Sequence, residues 1–204
     1  MTDALRDSWQ RALDQAATTG PLEVAAVLLG FAYVFMAIRQ RRACWIAGGL
    51  STALYAIVFL DARLYLQAVL QVVYVVLAVH GWREWSRDAR VDGVPVVRRV
   101  SLPIHAAALA AALTATALTG AALAAWSDAA APWADAFGTW TSVAATWLMI
   151  RKVAASWLWW IVVDAGLAAL FASQGLLFTA ALYLAFAALA AAGWFAWRRA
   201  PQVA

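Results

Sequence analysis

Long runs of hydrophobic residues, separated by short clusters of charged residues, make up most of the chain. Each run is about 20 residues long, the length that a helix needs to cross the ~30 Å hydrocarbon layer of a membrane. The charges between the runs gather in groups such as RQRR at 39–42 and RK at 151–152. This pattern predicts an all-α integral membrane protein with seven transmembrane helices. The predicted helices span residues 22–38, 44–60, 64–82, 101–126, 133–150, 154–172 and 176–197.

The chain also matches itself when it is shifted by 112 residues. In this ungapped register RLYLQAVLQVVYVVLAVHGWREW at 63–85 lies over GLLFTAALYLAFAALAAAGWFAW at 175–197. Alanine coincidences carry little information in so apolar a chain, whereas tryptophan coincidences carry much more. The tryptophans that coincide are Trp45 with Trp157, Trp82 with Trp194, and Trp85 with Trp197. Such self-similarity indicates an internal repeat.

The repeat predicts two three-helix units, residues 22–85 and 134–197, separated by a loop and linker helix at 86–133. Two units with an odd number of helices lie parallel only when an odd number of crossings separates them, so one connecting helix is required. The predicted architecture is therefore 3+1+3 with two parallel three-helix repeats. Residues 1–21 are predicted to form an amphipathic segment at the membrane interface, and 198–204 a short tail.

Composition and charge add an orientation to this prediction. Hydrophobic residues make up 66% of the chain and the mean hydropathy is +0.75, both typical of a membrane protein. Twelve of the 15 lysine and arginine residues fall on one side of the predicted bundle. The positive-inside rule therefore places the N-terminus outside and the C-terminus in the cytoplasm, and the net charge of +4 does not indicate a nucleic-acid partner. The tryptophans predicted to form an interfacial aromatic belt are Trp82, Trp85, Trp194 and Trp197.

Several kinds of chemistry find no support in the sequence. The single cysteine, Cys44, offers neither a disulfide nor a thiolate cluster, and His80 and His105 have no second ligand at a metal-binding spacing. No HExxH, GxSxG or P-loop motif is present. We therefore expect no cofactor, no metal site and no enzymatic activity. An intramembrane enzyme is also disfavoured because Asp164 has no second acid or base on its helix face.

One polar face stands out in the sixth predicted helix. Trp157, Trp160 and Asp164 follow the spacing i, i+3, i+7 and share a face, while Trp159 points elsewhere. A charged side chain deep in a helix is costly in lipid and usually faces a cavity or the bundle interior. We interpret this face as part of a ligand site. The alternative is a protonated or internally paired aspartate that locks helices together.

The third predicted helix carries a second polar face. Gln67, Gln71 and Tyr74 follow the spacing i, i+4, i+7. Two amides and a phenol on one face suit a ligand with amide and hydroxyl groups. Interhelical hydrogen bonds are the alternative explanation.

The repeat shows that the two proposed linings differ. One unit offers rings and an acid, and the other offers amides, so a central site suits an asymmetric ligand with an aromatic end and a polar end. Aromatic faces also attract a cationic ring. The equivalent pairs are Trp157 with Trp45, Trp160 with Gly48, Asp164 with Thr52, and Tyr183 with Gln71, and we include Trp45 and Tyr183 among the candidate site residues.

Taken together, GLSTALYAIVF, GWREW, SWLWWIVVD and GWFAW resemble the PnuC family of bacterial vitamin transporters, also called the nicotinamide mononucleotide transporter family. The resemblance covers about residues 22–198. It implies a fold related to SWEET sugar transporters, a homotrimer, and a place in the bacterial cytoplasmic membrane. It also implies uptake of nicotinamide riboside by facilitated diffusion, with the vitamin trapped by a cytoplasmic kinase.

By this resemblance the ring-stacking WxxW element falls on Trp157 and Trp160, and the polar contacts of the third helix fall on Gln71 and Tyr74. Family members commonly read RKxxENW where this chain reads RKVAASW, so the acid and the amide are replaced by alanine and serine at 155–156. We expect this departure to affect substrate choice. Nicotinamide riboside is the first candidate, followed by thiamine or riboflavin and then by a sugar. A non-transporting membrane subunit is a further alternative.

Overall fold

The computed structural model of the protein describes residues 20–61, 65–87, 90–91, 94–127, 131–173 and 177–203. Within them the chain forms seven α-helices and four two-residue strands. The helices are α1 (Pro21–Ile38), α2 (Cys44–Asp61), α3 (Tyr65–Ser86), α4 (Leu102–Trp126), α5 (Pro132–Ile150), α6 (Ser156–Ser173) and α7 (Leu177–Trp197). The strands are β1 (Arg90–Val91), β2 (Val94–Pro95), β3 (Val97–Arg98) and β4 (Gln202–Val203). The predicted amphipathic segment lies outside the described residues apart from its last two positions.

Among the described residues, three segments are long and apolar enough to cross a membrane: Pro21–Ile38, Leu102–Trp126 and Thr179–Trp197. Shorter apolar segments lie in α2 and α6, over Cys44–Val58 and Ser156–Leu170. The other two helices, α3 and α5, carry polar residues along their length. A helix of that kind suits a bilayer when its polar face turns towards neighbouring helices. The all-helical prediction is confirmed, with apolarity concentrated in part of the bundle.

We describe the helices as two groups of three, with one helix between them. In the first group α1 packs against α2 and α2 against α3, and in the second α5 packs against α6 and α6 against α7. The helix between the groups, α4, packs against α5. Across the groups, α1 contacts α7 and α3 contacts α5. The first helix of each group therefore contacts the last helix of the other, which makes the two interfaces reciprocal.

The turns that follow α1 and α5 have the same geometry, 112 residues apart. Gln40 and Lys152 both adopt the left-handed backbone conformation, with φ of 53° and 54°. The Gln40 amide donates to the Ala37 carbonyl at 2.9 Å, and the Lys152 amide donates to the Met149 carbonyl at 2.9 Å. A positive φ is uncommon for residues other than glycine. Its recurrence at these two positions extends the sequence match to the backbone.

Two tryptophan–glycine contacts recur at the same spacing. The Trp45 ring lies against Gly81, where an added Cβ atom would come within 2.4 Å of it. The Trp157 ring lies against Gly193, where the corresponding distance would be 2.5 Å. No side chain fits in either place unless the indole moves. The glycine of each GW motif is therefore needed for the close packing of the tryptophan ring on the helix.

Four rings, Trp45, Trp85, Trp157 and Trp197, form what we call the tryptophan cluster. Trp45 and Trp85 meet edge to face at 5.4 Å and 87°, and Trp157 and Trp197 meet at 5.4 Å and 88°. Trp85 and Trp197 join the two pairs at 5.9 Å. Each edge-to-face pair contributes ~0.5–1.5 kcal/mol beyond its buried area. The tryptophan cluster lies at the end of the bundle that holds every described arginine and lysine, and we call it the basic end.

Reciprocal hydrogen bonds fasten the two groups at the basic end. The Trp85 indole N–H donates to the Ile150 carbonyl at 3.0 Å, and the Trp197 N–H donates to the Ala37 and Ile38 carbonyls at 3.2 Å each. These carbonyls belong to helix ends, where intrahelical partners are missing. Trp85 and Trp197 are 5% and 0% exposed. The prediction that they belong to an interfacial belt is wrong because their N–H groups find acceptors inside the protein.

The other two tryptophans of the predicted belt lie under arginine side chains. The Arg42 guanidinium is 4.9 Å from the Trp82 ring centroid, and that of Arg198 is 5.9 Å from the Trp194 centroid. Both rings are half-buried. This stacking leaves the charge at the surface while the ring packs inward, which fits a boundary position.

The segment that connects α3 to α4 is fixed to the second group. The Val97 amide donates to the Pro201 carbonyl at 3.0 Å, which aligns β3 with β4 in parallel. The Arg98 amide donates to the Lys152 carbonyl at 2.9 Å, and the Ala154 amide returns a bond to Arg98 at 3.2 Å. Val97 is fully buried. The predicted loop and tail are therefore joined to each other and to the turn between α5 and α6.

We predict that Gly193→Ala destabilises the protein, because the new methyl group would overlap the Trp157 ring. Overpacking of this kind costs ~1–3 kcal/mol. The melting temperature in detergent measures the effect. Gly166→Ala is the matched control, since nothing lies within 4 Å of a Cβ atom there. Equal melting temperatures for the two variants would contradict the packing role of the glycine.

Candidate functional site

Four tyrosines from four helices approach one another inside the bundle. Tyr33 of α1 is within electrostatic range of Tyr74 of α3, and Tyr74 is within range of Tyr183 of α7. Tyr183 is also within range of Tyr55 of α2. We call these residues the tyrosine group. Tyr74 and Tyr183 were expected from the sequence, whereas Tyr33 and Tyr55 were not. The available signal for these two was their position in the middle of predicted helices, in a chain with five tyrosines.

Tyr33 owes its position to a glycine on the neighbouring helix. A Cβ atom at Gly48 would lie 2.9 Å from the Tyr33 ring, so the absence of a side chain lets the ring fit. In the 112-residue register, these two positions correspond to Ala145 and Trp160. In the first group the large ring is Tyr33, on the first helix. In the second group it is Trp160, on the second helix. This exchange makes the lining asymmetric on a repeated scaffold.

Tyr74 connects the two helix groups at the α3–α5 interface. Its hydroxyl lies close enough to the side chain of Ser142 to interact with it. The Ser142 hydroxyl donates to the Gly138 carbonyl at 2.6 Å, so the backbone of α5 fixes its position. Tyr74 is therefore held by the second group as well as by its own helix.

Asp164 is buried in α6, as the sequence analysis expected from its place in an apolar segment. The residue is 6% exposed, and its carboxyl is within electrostatic range of the Tyr183 hydroxyl on α7. The described lysines and arginines all lie at the basic end. The structure thus brings an acid to the edge of the tyrosine group.

The structure places Trp45 and Trp157 in the tryptophan cluster, where they are 3% and 2% exposed. One face of each ring is occupied by the glycine described above. Their indole N–H groups have no hydrogen-bond acceptor among the described residues. Both N–H groups are themselves buried, and the role of these two residues as substrate contacts stays a prediction.

Trp160 is half-buried and packs against the hydrophobic core that contains the tryptophan cluster. It has more free surface than Trp157, one turn earlier on the same face. Ser156, where the chain departs from the family pattern, is fully buried, with its hydroxyl 3.8 Å from the Met149 sulfur. This serine therefore contacts the protein core, and any effect on substrate choice acts through the neighbouring tryptophan.

Gln71 is half-buried on α3, one turn before Tyr74. Gln67 belongs to the first turn of the same helix, and its side chain lies outside what the structure describes. Tyr183 meets Phe186 edge to face at 6.4 Å, and Phe186 stacks on Phe31 at 4.8 Å. The tyrosine group therefore borders the α1–α7 interface on one side and the α3–α5 interface on the other.

Trp159 has a different function from the two tryptophans that flank it in SWLWWIVVD. Its indole N–H donates to Nδ1 of His105 on α4 at 3.3 Å, and the two rings stack at 6.4 Å. This contact ties α6 to α4. Trp159 therefore points away from the candidate site, as its position on the helix predicts.

A family model for the nicotinamide mononucleotide transporter matches residues 20–199. The chain belongs to this family. It is also similar to the crystal structure of the vitamin B3 transporter PnuC, with a TM-score of 0.68 and 22% identity over 87% of this chain and 82% of that chain. No match was found among the curated proteins.

The match confirms the resemblance to the PnuC family that the sequence motifs indicated. Members of this family are membrane transporters and not enzymes. Among the residues that the structure describes, no group of three histidine, cysteine or acidic side chains is placed to hold a metal ion. The tyrosine group, Asp164 and Trp160 are the candidate site residues of this interior.

We predict that Tyr74→Phe and Ser142→Ala have coupled effects, because the two hydroxyls lie close to each other across the groups and a hydrogen bond between them links the two positions. Removing one such bond costs ~0.5–1.5 kcal/mol. A double-mutant cycle on the unfolding free energy in detergent measures the coupling. Strictly additive effects of the two substitutions would show that the contact does not stabilise the α3–α5 interface.

Proposed function

We propose that this chain transports a nucleoside-like vitamin, with nicotinamide riboside as the first candidate, by facilitated diffusion. The observation that carries the proposal is the tyrosine group beside Asp164 and Trp160, in the interior of a bundle that belongs to the nicotinamide mononucleotide transporter family. Phenols donate to and accept from ribose hydroxyls, and an indole face stacks on a planar ring. A protein with this lining binds a ligand that has both parts.

The proposed architecture is 3+1+3, with two parallel units and α4 as the connecting helix, as in SWEET-like transporters. The recurring turns, the recurring tryptophan–glycine contacts and the reciprocal α1–α7 and α3–α5 interfaces support it. α4 packs against the second unit. Gly120 of α4 leaves room for the Trp133 ring, and the Trp140 N–H donates to the Thr119 hydroxyl at 3.0 Å. Each unit is then a body that is able to move as a whole.

The proposed mechanism is alternating access. The vitamin stacks its ring on Trp160 and Trp157, bonds its hydroxyls to Gln71 and Tyr74, and the two units rock around it. The basic end faces the cytoplasm and the N-terminus lies outside, in a bacterial cytoplasmic membrane. The tryptophan cluster then closes the cytoplasmic side in the state described here. A cytoplasmic kinase traps the vitamin after release, and the protein works as a homotrimer.

Thiamine is the second candidate substrate. The acid and the aromatic rings of the site suit its charged thiazolium ring as well as they suit a pyridinium ring. The RKVAASW segment also departs from the family pattern beside the stacking tryptophans.

Uptake into proteoliposomes tests the proposed function. We expect labelled nicotinamide riboside to equilibrate across the membrane without a driving ion, and excess thiamine, riboflavin and glucose serve as competitors. Accumulation that needs a sodium or proton gradient would contradict facilitated diffusion. If none of the three vitamins enters the vesicles, the vitamin assignment is wrong, and competition by glucose alone would favour a sugar carrier.

We predict that Trp160→Ala weakens vitamin binding, because it removes the stacking face. Loss of a ring-stacking partner costs ~1–3 kcal/mol, or about 5- to 150-fold in Kd. Isothermal titration of the purified protein measures it. Trp159→Ala is the control, since that ring is directed to His105 of α4. An unchanged Kd for Trp160→Ala would remove the stacking role.

We also predict that Gly48→Ala impairs binding, because its methyl group would push Tyr33 out of the tyrosine group. Overpacking of ~1 kcal/mol at the ring predicts an effect of about fivefold on Kd. The adjacent substitution Gly49→Ala meets only the Ala78 methyl at 3.4 Å and should leave binding unchanged. Equal affinities in the two variants would mean that Tyr33 does not shape the site.

A further inference from the structure

A series of polar groups leads from the far end of the bundle to the middle of α6. Glu23 lies in the first turn of α1, at the end opposite to the tryptophan cluster, and is within electrostatic range of Tyr55. Tyr55 is within range of Tyr183, and Tyr183 is within range of Asp164. The four side chains come from four different helices of both groups. The series therefore runs between the groups, from one face of the bundle into its interior.

The charged members of this series are both acids. Asp164 lies eight residues into α6, roughly 12 Å beyond the start of the helix. The described arginines and lysines stay at the basic end. At 6% exposure the carboxylate is largely withdrawn from water. A buried charge is costly unless a counter-charge or several hydrogen bonds compensate it, and the neighbouring phenols of the tyrosine group are neutral.

We propose that the substrate supplies a counter-charge that the described residues around Asp164 do not provide: the site takes a cationic ligand, Asp164 is its counter-ion, and Glu23 and Tyr55 line its access route. This inference rests on the proposed function, that the chain carries a vitamin through its interior. The tyrosine rings act in the same direction because aromatic faces attract cations. An acid at the outer end of the route also raises the local concentration of cations.

A neutral ligand fits this interior less well. Its hydroxyl and carbonyl groups are satisfied by phenols and amides, which leaves the carboxylate of Asp164 without a counter-charge. Nicotinamide riboside and thiamine both carry a permanently positive aromatic ring, whereas riboflavin and sugars are neutral. The inference therefore separates the candidate substrates by charge rather than by shape.

Two ligands of nearly equal shape test the proposal: nicotinamide riboside, a pyridinium cation, and its neutral 1,4-dihydro form. The full chain is placed in nanodiscs of uncharged lipid and titrated with each, and with thiamine and riboflavin. We expect the wild-type protein to prefer the cation by about tenfold or more. Asp164→Asn should reduce this preference to about twofold by weakening cation binding alone. Glu84→Gln, a carboxylate change at the basic end, is the control and should keep the preference.

The access route has a separate kinetic test. Glu23→Gln should slow uptake of the cation about two- to fivefold at low ionic strength, and the difference should disappear in high salt, because steering by an exposed charge is screened. Equilibrium binding should stay at the wild-type value. A salt-independent loss of uptake would mean that Glu23 acts on packing and not on the approaching cation.

The remaining outcomes separate this inference from the proposed function. Equal wild-type affinity for the cationic and neutral forms overturns the inference and leaves vitamin transport standing, and this comparison does not depend on whether a variant folds. Equal weakening of both forms by Asp164→Asn also overturns it, because an aspartate that only braces helices affects both alike. Binding of thiamine without nicotinamide riboside supports the inference and changes the vitamin. Binding of riboflavin alone overturns the inference, and binding of none of these ligands overturns both.

Discussion

An indole ring packed on a helical glycine occurs twice in this bundle, at Gly81 and at Gly193, and the arrangement of the other helices follows from it. The contact brings the second and third helices of each group close together at the basic end. It also leaves the tryptophan four residues after each glycine free to reach the neighbouring group. There its N–H group satisfies a carbonyl at the end of a helix. Packing within each group therefore determines how the two groups meet.

The site depends on where this repetition stops. The turns, the glycine contacts and the aromatic pairs at the basic end repeat closely, whereas deeper in the bundle Tyr33 and Gly48 are replaced by Ala145 and Trp160. A repeated scaffold supplies two bodies that are able to move against each other. The unmatched positions supply a ring on one side, phenols on another and a single acid. The scaffold and the site thus obey different constraints within the same helices.

Much of the scaffold was predictable because membrane helices follow from length and apolarity alone, and because matched tryptophans revealed the repeat. The burial of Asp164 was predictable for the same reason. The burial of Trp85 and Trp197 was not, since a tryptophan beside arginines resembles an interfacial residue until its acceptors on another helix are known. Tyr33 and Tyr55 were missed because their significance lies in which helices are neighbours. That information is absent from any single helix face.

The pairing of β3 with β4 affects where the two bodies of the proposed alternating-access mechanism are divided. The connecting segment follows α3 along the chain, yet Val97 and Arg98 form backbone hydrogen bonds with Lys152, Ala154 and Pro201, which flank helices of the second group. If the groups rock as bodies, this segment travels with α5, α6 and α7, not with the helix that precedes it. The joint between the two bodies then lies between Ser86 and Val97, ahead of the linker helix. In the proposed mechanism the chain thus crosses from one body to the other before α4 begins.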